Sequence, residues 1–247
     1  MAKEISKTQI DRLGDRIKRG AITEEDLRLL DRYRRSFSAS YDVVVGDIRD
    51  KLGLEPTGRP AKSTTSIVDK LKRESIRLTQ IQDIAGCRII VADITKQDSV
   101  IKSLTGLLPQ VAVIDRRVKP SHGYRAVHVV VDQGSKLIEI QVRTALQQLW
   151  AELSEKYSDV IDPSIKYGGN AKVQGILQKS SMLVAIQESE EKDLKDALAS
   201  SLFKELSDEE QQAIDDEQKK LEWRREKLGE MFRNFINDMS KLKEGRK

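Results

Sequence analysis

The chain has 247 residues, 34% charged and 38% hydrophobic, with 44 basic against 40 acidic side chains and a formal charge of +4. So small an excess excludes a protein that grips nucleic acid through its total charge, and any polyanion contact has to rest on local clusters. A single cysteine, Cys87, excludes a disulfide framework and suits a reducing cytoplasm; with no apolar leader and no membrane-length apolar run, neither secretion nor a membrane partner is expected.

Ile5, Ile10, Leu13 and Ile17 recur at helical spacing and predict an amphipathic helix over residues 4–19, stopped by Gly20. Thr23 followed by Glu24, Glu25 and Asp26 predicts an N-cap with acids at the positive helix end, opening a second helix that runs to about Ser40. That helix carries Arg28, Arg32, Arg34 and Arg35, which suit a solvated face or, alternatively, a polyanion patch. A further helical turn or two follows over Tyr41–Leu52 and closes before Gly53.

Gly58 and Pro60 predict a turn around Arg59, after which Lys62, Ser63, Thr64, Thr65 and Ser66 precede a helical pattern through Ile67, Val68 and Leu71. Cations and hydroxyls at a helix N-terminus suit a phosphate chain, because free N–H groups and the helix dipole already favour an anion there. An ordinary Ser/Thr cap accounts for the same residues. The stretch lacks the glycine spacing and the Gly-Lys-Ser/Thr ending of a Walker A loop. Ile89, Ile90 and Val91 predict a buried strand, and Asp83 lies in the turn before it, either as a cap or as a carboxylate aimed into a cleft. A helix over 94–108 and a strand over 111–114 follow, then a basic loop, Asp115–Pro120, containing Arg116, Arg117 and Lys119.

The chain is organised around Ser121–Thr144. Two apolar-alternating runs flank Asp132-Gln133-Gly134-Ser135, the pattern of a β-hairpin. Val127, Val129 and Val131 share one face with Ile138, Ile140 and Val142, while the other carries Tyr124, His128, Glu139, Gln141 and Arg143. A four-residue loop pairs Val131 with Lys136 and sets His128 across from Glu139 and Tyr124 across from Arg143. A half-solvated sheet also has a polar outer face, but such a face favours Thr, Lys and Ser over this set. Leu146, Leu149, Trp150 and Leu153 then predict a helix over 145–157, and residues 158–170 read as a loop. From about Ala171 long charged helices take over. Ile214, Leu221, Leu228, Phe235 and Leu242 recur every seven residues, joined by Met231, Phe232 and Met239, with Glu217, Arg224 and Asp238 ruling out a strict zipper. This stripe packs on the chain's own domain or on a second copy, so a homo-oligomer through the C-terminal helices is one expectation.

On these residues the chain resembles the RelA/SpoT family, the (p)ppGpp synthetases, over about residues 41–157. Gly123-Tyr124, His128 and Glu139-Ile140-Gln141-Val142-Arg143-Thr144 fit the family's GY, His and E-x-Q-x-R-T motifs. Arg59, Lys62, Ser66 and Lys70 take the places of its phosphate-binding loop, although Lys62 stands three residues after Arg59 where members often have two. Asp83-Ile84-Ala85-Gly86-Cys87-Arg88 matches a further family stretch.

The resemblance implies an α+β, nucleotidyltransferase-like fold: a mixed sheet from segments near 87–92, 111–116, 124–131 and 136–143, flanked by helices. Its domain division would be N-terminal helices over 1–40, a synthetase domain over 41–170 and charged helices over 171–247. It implies that Asp83 and Glu139 hold Mg²⁺, that Glu139 also accepts a hydroxyl proton, and that Arg59, Lys62, Ser66, Lys70 and Arg88 bind the donor phosphates. Lys119 would face phosphates, Tyr124 would stack on the acceptor base, and His128 and Gln141 would orient the acceptor with Arg143 in support. The implied reaction moves the β,γ-pyrophosphate of ATP to the ribose 3′-hydroxyl of GDP or GTP. Some relatives are toxins that modify the tRNA 3′ end and have antitoxin partners. A non-catalytic nucleotide-binding regulator is a third reading, against which the intact Asp83 and Glu139 argue. Long members carry hydrolase and regulatory parts not seen here, which implies the small, stand-alone type.

Overall fold

The computed structural model describes residues 5–201 and 206–244. Among them the strands are β1 (Thr57–Arg59), β2 (Ala85–Val91), β3 (Gln110–Asp115), β4 (Val127–Gln133) and β5 (Lys136–Thr144). The helices are α1 (Lys7–Lys18), α2 (Glu24–Arg35), α3 (Ser38–Leu52), α4 (Thr64–Arg73), α5 (Ile94–Leu107), α6 (Ala145–Val160), α7 (Ala171–Ser201) and α8 (Asp208–Glu244). The fold is α+β, with one mixed open sheet in the order β1-β2-β5-β4-β3. The chain groups into two compact units. The first is drawn from Met1–Ile89, Ile101–Ile114 and His128–Gln141, the second from Ile90–Val100, Asp115–Val127 and Val142–Lys247.

In the first unit, α1 starts at Lys7 because Ser6 and Gln9 form a reciprocal capping box; residue 4, where the expected helix begins, lies outside the described residues. Its buried face is Ile10, Leu13 and Ile17. The Thr23 cap is present, with Asp26 completing the box and also taking the Arg16 guanidinium at 2.6 Å. The second helix stops at Arg35, short of Ser40. There the Ser36 hydroxyl donates to the Tyr33 carbonyl at 2.6 Å, a local bond that competes with the helix ladder. The chain restarts as α3, longer than the expected turn or two, and ends on Gly53 in the left-handed region at φ 62°.

Gly58 is in a strand, not a turn. It faces Cys87 in the antiparallel β1–β2 pair, where a Cβ would sit 2.4 Å from the Gly86 carbonyl oxygen. A glycine beside a proline signals a turn, but here it allows two backbones to approach.

The hairpin closes on two residues, Gly134 and Ser135, at φ 61° and 63°, the primed geometry that matches strand twist. Asp132 stays extended because its N–H donates to the Pro109 carbonyl at 3.0 Å. In a two-residue hairpin Gln133 faces Lys136, so the partner of His128 moves from Glu139 to Gln141 while every side chain keeps its face. The Lys136 ammonium lies 5.5 Å and 5.0 Å from the Tyr33 and Phe37 ring centres, fixing the hairpin against the end of α2.

In the second unit, Thr144 caps α6 by accepting from the Gln147 N–H, and its hydroxyl donates to the buried carboxyl of Glu188 on α7. The core gathers Trp150, Leu153 and Tyr157 from α6, Leu177 and Val184 from α7, and Phe232 from α8. The expected loop over 158–170 is partly ordered into helix: α6 continues to Val160, and Pro163–Tyr167 make a 3₁₀ turn capped by Asp162. Along α8, Leu221 and Phe232 are buried with Leu228, Ile236 and Met239 beside them, whereas Phe235 and Leu242 stay 41% and 50% exposed. A straight helix turns every 3.6 residues, so a stripe of period seven drifts off the contact line.

Candidate active site

The first unit brings six of the expected residues into two hydrogen-bonded groups. Asp83, in the turn entering β2, is clasped by two ammonium groups: Lys62 Nζ lies 2.5 Å from Oδ2 and Lys70 Nζ 2.9 Å from Oδ1. Lys70 comes from α4, capped by Ser63, so the cap reading is met at Ser63. The backbone of Lys62 is held on both sides, its N–H donating to the Ile84 carbonyl at 2.6 Å and its carbonyl accepting from Arg34 Nη1 at 3.3 Å. Burial pushes the Asp83 acid up, but Lys70 and Lys62 outweigh it and hold the carboxyl below its ordinary range.

Glu139 on β5 accepts from His128 Nδ1 and from Gln141 Nε2, each at 2.8 Å. Burial raises this acid, His128 and Gln141 pull it down, and the net position lies below the ordinary value. The charge of Asp83 works in the opposite, raising direction, so the two carboxylates act on each other. An ionised carboxylate only accepts, which places the His128 proton on Nδ1. Beside them, Cys87 is buried and its thiol is pushed up to about 12, with the Glu139 charge adding to the desolvation.

The other expected residues of this unit make different contacts. Ser66 gives its N–H to the Ser63 cap and accepts the Ser63 hydroxyl at 2.8 Å. Arg59 is exposed on β1 and Arg88 half-buried on β2.

The second unit holds Lys119, Tyr124 and Arg143. The hydroxyl of Tyr124 accepts from Arg143 Nη2 at 2.8 Å, and the guanidinium carbon lies 5.0 Å from the ring centre. Arg143 is buried, and its Nη1 donates to Gln148 Oε1 at 2.9 Å, so it touches protein groups that fix it as well as the ring. Lys119 is exposed. Arg117, in the same basic loop, pairs with Asp115 and Asp98 at 2.7 Å each and is committed to structure.

Three residues have supporting roles that the sequence does not signal directly. Gly86 on β2 is one: a Cβ there would meet the Glu139 carbonyl oxygen at 2.6 Å, and a glycine inside a strand pattern is the available signal. The others are Arg34 and Gln148, polar residues on helices whose spacing carries no mark of their reach. Among the described residues no three His, Cys, Asp or Glu side chains gather as a metal cage. No helix among them is long and apolar enough to cross a membrane.

Residues 58–159 match the model of a region found in RelA/SpoT proteins. An uncharacterised protein of Mycobacterium tuberculosis is 35% identical over 148 residues, covering 53% of this chain and 54% of that one. The chain thus spans about half the length of the curated relatives it matches. The crystal structure of small alarmone synthetase 1 from Bacillus subtilis is 27% identical with a TM-score of 0.54, covering 69% of this chain and 99% of that chain. With its product pppGpp bound, that enzyme gives 26% and 0.50, covering 66% and 97%. Over residues 58–159 the chain is thus similar to the region shared by RelA/SpoT proteins. Its fold is similar to that of the small alarmone synthetases.

Proposed function

We propose that the protein is an ATP-dependent pyrophosphokinase that makes (p)ppGpp from GDP or GTP. The observation that carries the reading is the Asp83 carboxylate, half-buried and ionised between Lys62 and Lys70, with Glu139 close enough to feel its charge. A structural ion pair needs one cation. Two lysines on one carboxylate, both on a segment that also supplies a helix N-terminus, make a surface ready for a phosphate chain.

In this reading the acceptor 3′-oxygen attacks the β-phosphorus of ATP, the bond from that phosphorus to the α–β bridging oxygen breaks, and AMP leaves. Glu139 takes the hydroxyl proton, oriented by His128 and Gln141. Lys62 and Lys70, with Arg59, Ser66 and Arg88, bind the donor phosphates and take up the charge that develops on them. Tyr124, held by Arg143, offers a ring face to a base, and Lys119 offers a charge to phosphate. Asp83 and Glu139 supply the hard oxygen donors that Mg²⁺ favours, and an ion with few protein ligands takes the rest from phosphate and water. Bound Mg²⁺ would neutralise the donor phosphates.

The test is incubation with Mg²⁺ and ATP radiolabelled at the γ-phosphate, with GDP, GTP or bulk tRNA offered in turn. Label on GDP or GTP supports the reading. Label confined to tRNA 3′ ends, or to none of the three, overturns it.

A further inference from the structure

We propose that Ser181 on α7 is a positioning residue for Tyr124, which makes α7 a working part of the acceptor side; this rests on the pyrophosphokinase reading above. Helix α7 lies outside the matched region 58–159, and most of its charged residues gather in its second half. Its inner face does something more specific. Ser181 is 2% exposed. Its hydroxyl donates to the Gly123 carbonyl at 2.6 Å and accepts from Arg125 Nε at 2.9 Å. One oxygen atom therefore ties together the two residues that flank Tyr124.

The turn has little other freedom. Gly123 sits at φ 88°, and a Cβ on it would come within 2.8 Å of the Trp150 ring. Trp150 is fixed to α7 in turn, its Nε1 donating to the Leu177 carbonyl at 2.8 Å. The Arg125 guanidinium continues to the Arg117 carbonyl at 2.7 Å. The turn that carries Tyr124 is thus braced by α7, while Arg143 holds the ring, which also packs on the core of this unit. A stacking surface contributes to binding only when its plane is already in place, since ordering it on arrival costs part of the gain. Removing the Ser181 hydroxyl also leaves a half-buried guanidinium nitrogen and a buried carbonyl without their shared partner.

The experiment is a double-mutant cycle on the intact chain with Ser181→Ala, Tyr124→Ala and both together. Initial rates are read against GDP and against ATP, with GDP binding by calorimetry as a readout that needs no turnover. We expect Ser181→Ala to raise the KM and Kd for GDP by about fivefold to tenfold, less than loss of the ring itself, with the KM for ATP unchanged. In the Tyr124→Ala background the same change should have almost no further effect, because Ser181 acts only through the ring. An unchanged GDP constant, an equal rise for ATP, or the same rise in both backgrounds overturns the inference while the activity stands. A wild-type chain that neither binds nor pyrophosphorylates GDP overturns the activity and this inference together. Should Ser181→Ala melt out, Arg125→Met breaks the same junction from the other side and is read in the same way.

Discussion

His128 Nδ1 stands 2.8 Å from Oε1 of Glu139, a contact between neighbouring strands in which the imidazole can only donate. Glu139 is thereby kept ionised, oriented and half-saturated with donors. Glu139→Gln preserves its size and its place among His128 and Gln141 but can neither take a proton nor carry charge. We expect turnover to fall by at least about 10²–10⁴-fold, the usual worth of a general base, while circular dichroism and melting stay close to wild type. Near-wild-type turnover at saturating Mg²⁺ would remove Glu139 from the chemistry.

Tyr124 and the arginines of α2 separate two acceptors. A mononucleotide is held at its base, ribose and phosphates, whereas a tRNA adds backbone contacts whose loss flattens the salt dependence of binding. Replacing Arg28, Arg32 and Arg35 together by Ala should leave GDP or GTP use nearly unchanged. Tyr124→Ala should impair it by roughly tenfold to a hundredfold, the value of a base stacked on an aromatic ring. Loss of activity in the triple arginine variant, with Tyr124→Ala silent, would point to a polyanionic acceptor.

Acid stability should depend on Asp26. Its carboxyl is held below the ordinary 3.8 by the Arg16 hydrogen bond, against burial and with help from the Thr23 N–H. A depressed folded-state acid stabilises the fold above its unfolded value and loses that contribution as the pH falls through the folded one. Asp26→Asn should therefore lower the melting temperature by a few degrees at neutral pH. The gap should narrow below about pH 4 and close on further acidification. A gap that stays constant from pH 7 to strongly acidic buffer would show that the charge contributes nothing.

Two phenylalanines three residues apart on α8 should behave oppositely. Phe232 is fully buried in the second unit's core and Phe235 is 41% exposed. We expect Phe232→Ala to cost about 3–5 kcal/mol in urea unfolding, and Phe235→Ser to stay within about 0.5 kcal/mol. If Phe235→Ser is the costly one and also lowers the mass seen by light scattering, α8 closes an oligomer, as its heptad pattern first suggests.

Much of this was legible in the chain. The alternation through Val127–Val131 and Ile138–Val142 placed His128, Glu139 and Gln141 on one face, and that assignment survives a change in register because the shift is an even one. The Thr23 cap and the turn before β2 were equally plain. What was hidden depends on atoms distant in sequence. Ser135 adopts a left-handed backbone that nothing in its side chain announces. The Ser36 hydroxyl ends a helix whose propensities would continue it. Gly58 looks like punctuation and is a close strand contact. Ser181 and Glu188 read as ordinary polar helix residues, and their role emerges only when α7 meets the Gly123 turn and the α6 cap.

Cys87 is the chain's single cysteine, 4% exposed and with its thiol pushed up to about 12. At neutral pH it therefore presents almost no thiolate, and a maleimide or nitroxide reagent has neither access to it nor a nucleophile to meet. The protein is in effect cysteine-blind in its native state. A cysteine introduced at an exposed position such as Lys119 can be labelled alone, with the thiol beside Glu139 left undisturbed.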